Sequence, residues 1–206
     1  MKVLLFNGSP HKQGCTYTAL AEIAKTLNEA GVEAEIVQVG SKAFRGCTAC
    51  GGCAEKGACV FDDGLNEILA KVRDADGYVF GSPVYYASAN GTLISFMDRL
   101  FYAGGSSMAH KPAAAVASAR RAGTTVTVDE IQKYFTINQM PVVSSTYWNM
   151  VHGSRAEDVL QDEEGLQTMR NLGRNMAWLL QCIEAGKQAG IDAPKAEKGH
   201  RTNFIR

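Results

Sequence analysis

Five short apolar runs, each followed by a stretch of helical periodicity or loop, leave this chain few folds to choose from. The runs are Lys2 to Phe6, Glu33 to Val39, Tyr78 to Gly81, Ala113 to Ala117 and Met140 to Val143. Short continuous runs bounded by turn residues read as strands buried on both faces. The first ends at Asn7-Gly8-Ser9-Pro10 and the third at Ser82-Pro83, both breaker clusters. Between the runs, Leu20, Ile23, Ala24 and Leu27 recur at helical spacing from Thr16 onward, with Gly31 as the stop. Asp62 or Asp63 is placed to cap a helix whose apolar face is Leu65, Ile68, Leu69 and Val72. Asn90 is placed to cap another, with Leu93, Met97 and Leu100 inside; Asp129 to Ile137 and Leu166 to Ile183 supply two more. Strands alternating with helices predict an α/β fold: a doubly wound, five-stranded parallel sheet with helices on both faces. Residues 40–61 fit neither period and read as a Gly- and Cys-rich loop insertion.

A chain of 206 residues is sized for one domain, so residues 1–206 are expected to form a single unit. Formal net charge is zero, which argues against a nucleic-acid or membrane-surface binder, since both usually carry a basic excess. The opening apolar run is too short for a signal peptide, and no stretch approaches the ~20 apolar residues of a membrane span. The expected location is therefore the cytoplasm, where clustered thiols more often serve metal or redox chemistry than structural disulfides.

In open parallel sheets, ligands bind beyond the C-terminal ends of the strands, where strand order reverses. The loops after the first, third and fourth runs are accordingly the candidates. The first, Gly8 to Thr18, leads into a helix N-terminus, whose unpaired N–H groups and positive dipole end attract anions. Ser9, Thr16 and Thr18 add hydroxyls, and neither a nucleotide P-loop nor a G-x-G-x-x-G fingerprint is present. This composition suits a phosphate monoester such as that of FMN. The second loop, Gly81 to Thr92, carries Pro83-Val84-Tyr85-Tyr86, a wall against which a flat heteroaromatic ligand can lie; the plainer reading is that the tyrosines cover the sheet. The third, Ser118-Ala119-Arg120-Arg121, combines small residues with cations.

Within the insertion, Cys47, Cys50, Cys53 and Cys59 form C-x2-C-x2-C-x5-C, four thiols in thirteen residues. Three equally spaced thiolates can wrap one face of a cubane, and a fourth slightly farther on closes it, so the spacing fits a single [4Fe-4S] cluster. Three rivals stay open: a structural zinc, a redox dithiol at Cys50 and Cys53, and a loop that keeps its cysteines without a cluster. Cys15 sits at a helix start and reads as a backbone contact near phosphate, and Cys182 as a buried small residue.

Gly8-Ser9-Pro10…Gly14-x-Thr16, and Ser82-Pro83-Val84-Tyr85 followed by Phe96-x-Asp98-Arg99, resemble the NADPH-dependent FMN reductases, a flavodoxin-like group. With the cysteine loop included, the chain is similar to the iron–sulfur flavoproteins. The resemblance implies that Ser9, His11, Cys15 and Thr16 bind the ribityl phosphate; Thr18, at the same helix start, is a further candidate from the hydroxyls of the loop itself. It places Pro83, Val84, Tyr85 and Tyr86 on the isoalloxazine ring, closed on the other side by Ser118, Ala119, Arg120 and Arg121. His11 stands where Arg is common in that group, and Cys15 where Asn is common.

The expected function is an oxidoreductase passing electrons through FMN and the cluster to a small acceptor such as oxygen, peroxide or a quinone. By resemblance the donor is ferredoxin or NAD(P)H, the latter as co-substrate. A cluster-free NAD(P)H-dependent reductase of flavins, quinones or nitro compounds is the rival enzyme, and a flavodoxin-type carrier the non-catalytic one. No proton donor is named. A projecting cysteine loop, set to meet a neighbouring subunit's flavin, makes a homodimer or homotetramer the expected assembly.

Overall fold

The computed structural model describes residues 1–204 and contains a sheet in the order β2-β1-β3-β5-β6, with every neighbour on that path parallel. The strands are β1 (Lys2–Asn7), β2 (Glu33–Gln38), β3 (Gly77–Tyr85), β5 (Ala113–Ala119) and β6 (Met150–His152); β4 (Ser88–Ala89) turns back antiparallel on the end of β3. The helices are α1 (Cys15–Glu29), α2 (Gly52–Lys56), α3 (Leu65–Asp74), α4 (Gly91–Met108), α5 (Thr124–Ile137), α6 (Ala156–Val159) and α7 (Glu163–Gln188). With the short β4 set aside, the strand order is the flavodoxin-like 2-1-3-4-5 order, which reverses between β1 and β3.

Period-two alternation divides the interior into two layers. Leu4, Phe6, Tyr78, Phe80, Ala113, Ala115 and Ala117 point toward α3, α4 and α5. Val3, Leu5, Val79, Ala114 and Val116 point the other way, toward α1 and α7. β1 is almost wholly buried and β5 is built mostly of Ala, as fits central strands under close-packed helices. Asn90 caps α4 as expected, its side chain accepting from the Thr92 N–H at 2.7 Å. Among the described residues, no helix is long and apolar enough to cross a membrane.

Two local expectations need correction. The fifth strand is not Met140 to Val143: that segment leaves only an isolated parallel bridge between Val142 and Ala113. It runs beside the start of β5, the Val143 N–H donating to the Ala113 carbonyl at 2.9 Å, and then leaves the sheet. Residues 144–146 are drawn aside by α7, where Ser145 donates to the Thr168 carbonyl and Asn175 to the Ser144 carbonyl. The chain rejoins β5 at its far end as β6, pairing Met150 with Ala117 and His152 with Ala119. At α3, the residue before the helix is Gly64 in the left-handed region (φ 85°), not Asp62 or Asp63. Asp63 is occupied elsewhere, by Arg99.

Candidate functional site

Because the sheet is parallel, the loops after β1, β3, β5 and β6 emerge on one edge, and they enclose a cavity of about 680 Å3. The cavity is lined by Ser9, His11, Cys15 and Thr16, by Pro83, Val84 and Tyr85, and by Ser118, Ala119 and Arg120. Thirteen binding positions are expected from the sequence, and these ten converge. The other three do not line it. Thr18 turns its hydroxyl into the helix, onto the Gly14 carbonyl at 3.2 Å. Tyr86 is fully exposed at the tip of the β3–β4 hairpin, with φ 50°, and Arg121 lies exposed outside the lining.

The first loop is held in shape by its own neighbours. Buried Asn7 accepts the Ser9 N–H (3.1 Å) and donates to the His11 carbonyl (3.3 Å) and to Gln38 Oε1 (2.7 Å). Gln38 completes the ring by donating to the Ser9 carbonyl at 2.7 Å. The Ser9 hydroxyl oxygen accepts the His11 N–H (3.2 Å), which leaves its own proton free to donate elsewhere. Gly8 donates to the Gly81 carbonyl at 2.8 Å, and a Cβ on Gly40 would stand 2.1 Å from the Gly8 carbonyl oxygen, so the chain beyond β2 presses directly on this loop.

The loop delivers the start of α1 to the cavity. Gly14 occupies the cap position, and among the described residues no side chain caps this end and no carboxylate stands in its first turn. Its N–H groups and dipole are thus directed at whatever enters. The lining includes Lys12, Arg120 and Arg155 and no Asp or Glu. The Thr16 and Ser118 hydroxyls, both buried, share a hydrogen bond of 2.8 Å that ties α1 to the end of β5. Burial pushes the Cys15 thiol above its ordinary range; as a neutral S–H it donates to the Gly153 carbonyl at 3.4 Å. Gly153, Ser154 and Arg155 are lining residues that the sequence reading missed, because it placed the fifth strand too early. The signal was a short Met150-Val151-His152 run followed by Gly153-Ser154, the same strand-then-Gly-Ser pattern as Asn7-Gly8-Ser9.

The cysteine insertion leaves the same sheet edge from β2, next to β1. Cys47, Cys50, Cys53 and Cys59 all line one smaller cavity, of about 130 Å3, together with Val60, Phe61, Arg99, Tyr102 and Ala103. Gly51 and Gly57, both at positive φ, bracket the single turn of α2 that carries Cys53. Among the described residues, no three His, Cys, Asp or Glu side chains are grouped to hold one metal ion, so a mononuclear zinc site is not preformed. Four thiols around one mainly apolar cavity do fit a larger group held by four thiolates. The Gly52 N–H beside Cys50 holds that thiol below the ordinary thiol range, toward the ligating form. Arg99 pairs with Asp63 at 2.5 Å and holds the Asp63 carboxyl below the usual carboxylate range.

Comparison with known proteins identifies the family and the fold. The family model described as NADPH-dependent FMN reductase matches residues 1–155. An iron-sulfur flavoprotein of Methanocaldococcus jannaschii is 33% identical, the alignment covering 89% of this chain and all of that one. Among solved structures, RosB with a bound 8-demethyl-8-formylriboflavin-5'-phosphate intermediate superposes with a TM-score of 0.71 at 15% identity, covering 100% of this chain and 92% of that one. A flavodoxin from the domain Archaea superposes with a TM-score of 0.60 at 15% identity, covering 88% of this chain and 99% of that one. At such identities the two structures establish the flavodoxin-like fold alone. The family match spans β1 through β6 and all four loops of the larger cavity: this chain belongs to the NADPH-dependent FMN reductase family and is a flavin-dependent oxidoreductase.

Proposed function

We propose that the larger cavity holds FMN and that the four cysteines hold a [4Fe-4S] cluster, so that electrons pass through both groups to a small acceptor such as oxygen, peroxide or a quinone. The observation that carries the flavin half is the uncapped N-terminus of α1 opening into a cavity lined by three cations and no carboxylate. A flavin exchanges electrons in pairs or singly, whereas an iron–sulfur cluster passes them one at a time.

The residues divide the work by chemistry. Ser9 offers a hydroxyl proton to a phosphate oxygen, and the N–H groups at the start of α1 supply further donors. Lys12, Arg120 and Arg155 offset the phosphate charge. Pro83, Val84 and Tyr85 form the wall for the ring, with Ala119 and Gly153 small enough for close approach opposite. Thr16 and Ser118 fix the distance between the two sides, and with Ser118 as the donor in that bond the Thr16 hydroxyl keeps its own proton for a phosphate oxygen. Cys47, Cys50, Cys53 and Cys59 would ligate the cluster. One helix joins the two regions: α4 starts beside the β3–β4 hairpin and, at 1.5 Å per residue, reaches Arg99 about 12 Å further on.

The donor is ferredoxin or NAD(P)H, and the assembly a homodimer or homotetramer in which the cluster of one subunit serves the flavin of another. The exposure of Cys47 and Cys50, which leaves that side of the insertion open to a neighbour, supports the second point. It equally supports the rival, a cluster-free NAD(P)H-dependent reductase, since exposed thiols are easily left without metal. Anaerobic purification decides. Heat-released cofactor that co-migrates with FMN, together with about four iron and four sulfide per chain, is the expected result. FMN with NADPH oxidation but no iron establishes the rival; a protein that refuses FMN overturns both.

A further inference from the structure

Arg99 is an unusual residue in an unusual place. Its side chain is almost completely buried on α4, yet it reaches the cysteine cavity and uses two edges of its guanidinium there. One edge, Nη1 and Nη2, grips Asp63 at 2.5 and 3.0 Å. The other, Nε and Nη2, donates to a single sulfur, Cys59 Sγ, at 3.3 and 3.2 Å. The same cysteine is pinned by its backbone: the Cys59 N–H donates to Asn66 Oδ1 at 2.8 Å, and Asn66 Nδ2 donates to the Cys59 carbonyl at 2.9 Å. Phe61 stacks near the guanidinium, its ring centroid 5.4 Å away. Cys47 and Cys50, by contrast, are exposed.

A half-buried ion pair with Asp63 would explain a structural tie between α4 and the insertion. It does not require the second edge to face a sulfur. Two N–H donors and a full positive charge on one thiolate draw electron density from it and favour the more reduced, more negative state of whatever it ligates. We propose that Arg99 is a positioning residue that fixes Cys59 as the anchored corner of the cluster and raises the cluster's reduction potential through that one sulfur. This rests on the cluster reading above; the flavin cavity does not include Arg99.

The experiment uses the full chain, reconstituted anaerobically with iron and sulfide, as wild type, Arg99→Lys and the pair Arg99→Gln with Asp63→Asn. Lysine keeps the charge but loses the two-donor edge. The double variant removes one positive and one negative charge together, so a change in potential reports the lost N–H···S bonds rather than net charge. Iron content, iron loss to a chelator and the cluster midpoint potential are measured, with circular dichroism and FMN titration as controls. We expect both variants to fold and bind FMN as wild type does, to release iron on the order of tenfold faster, and to show a lowered midpoint potential. Wild-type release and potential in a folded Arg99→Lys variant would overturn the role of Arg99 and leave the cluster reading standing. A wild type that takes up no iron would overturn both. Should Arg99→Lys fail to fold, the double variant decides by the same readouts. In the wild type itself, exchange into D2O must shift an iron–thiolate stretching band; an unmoved spectrum also overturns the proposal.

Discussion

The loop after β1 and the loop after β2 leave adjacent strands at the same edge and touch at Gly8 and Gly40, yet they are built on opposite plans. The first is finished before any ligand arrives: Asn7 and Gln38 close a ring of hydrogen bonds around Ser9 and His11, and nothing in that ring depends on phosphate. The second is anchored at its two ends and open between them: at the near end Phe44 is buried against Phe96 and Arg99 donates to the Arg45 carbonyl at 3.4 Å. Cys59 is held by Asn66 and Arg99, whereas Cys47 receives one weak contact, from the Ala49 N–H at 3.4 Å, and the residues from Phe44 to Gly51 form no helix or strand. A preorganised cradle pays its ordering cost during folding, while an open one defers that cost to the moment of binding. Flavin binding should therefore tolerate loss of the cysteines, which lie beyond the contact of Gly8 with Gly40, and cluster binding should be fragile to the loss of any one of them.

The largest expected effect is on iron. Replacing any one of Cys47, Cys50, Cys53 or Cys59 by Ala removes a corner of the cluster, so iron content and broad visible absorption should be almost wholly lost. FMN affinity, measured by fluorescence quenching, should stay within about twofold. If instead only Cys50 and Cys53 matter, and activity follows a dithiol titration, the loop is a redox switch and the contrast fails.

Gly40→Ala comes next and breaks the cradle from outside it. Its new Cβ would meet backbone, not a flexible side-chain tip, so the first loop must shift. Weakened FMN binding together with a lowered melting temperature is expected; unchanged binding would show that the loop is less rigid than its hydrogen bonds imply.

Asn7→Ala removes the centre of the ring while leaving the space. A buried hydrogen-bonded amide lost without replacement costs about 1–3 kcal/mol, which urea unfolding would register. FMN affinity should fall by a comparable factor, because the Ser9 hydroxyl loses its fixed aim.

Cys182→Ala marks the small end. This side chain is exposed on α7, against the expectation that it is buried, and stands away from both cavities. Iron content, FMN affinity and stability should all match wild type within error.

How much of this was legible in the sequence follows the same division. The central strands were, because a strand buried on both faces has to be apolar throughout, as Lys2 to Phe6 nearly is. The first cradle was legible for a related reason: a strand that must turn into a helix N-terminus needs small residues and hydroxyls at fixed places. The sheet edge was not. Met140 to Val143 has the composition of a strand, but Ser144, Ser145 and Thr146 are claimed by α7 through tertiary hydrogen bonds that no local pattern records. The error carried Gly153, Ser154 and Arg155 out of the expected site with it. Asp63 misled in the same way, since a carboxylate before a helix reads as a cap until a buried arginine from another helix takes it.

The central claim is that the phosphate of FMN sits on the uncapped start of α1, with the neighbouring hydroxyls as its donors. Titrating wild type and Thr16→Val with both FMN and riboflavin, which differ only by the phosphate, tests it most directly. Wild type should bind FMN far more tightly than riboflavin. Thr16→Val should weaken FMN about tenfold, as expected for a lost hydrogen bond to a charged oxygen, and leave riboflavin within about twofold. Equal loss for both ligands would mean that Thr16 serves only to hold Ser118 in place. Wild-type affinities that do not distinguish FMN from riboflavin would contradict the account, because the phosphate would then lie outside the cradle.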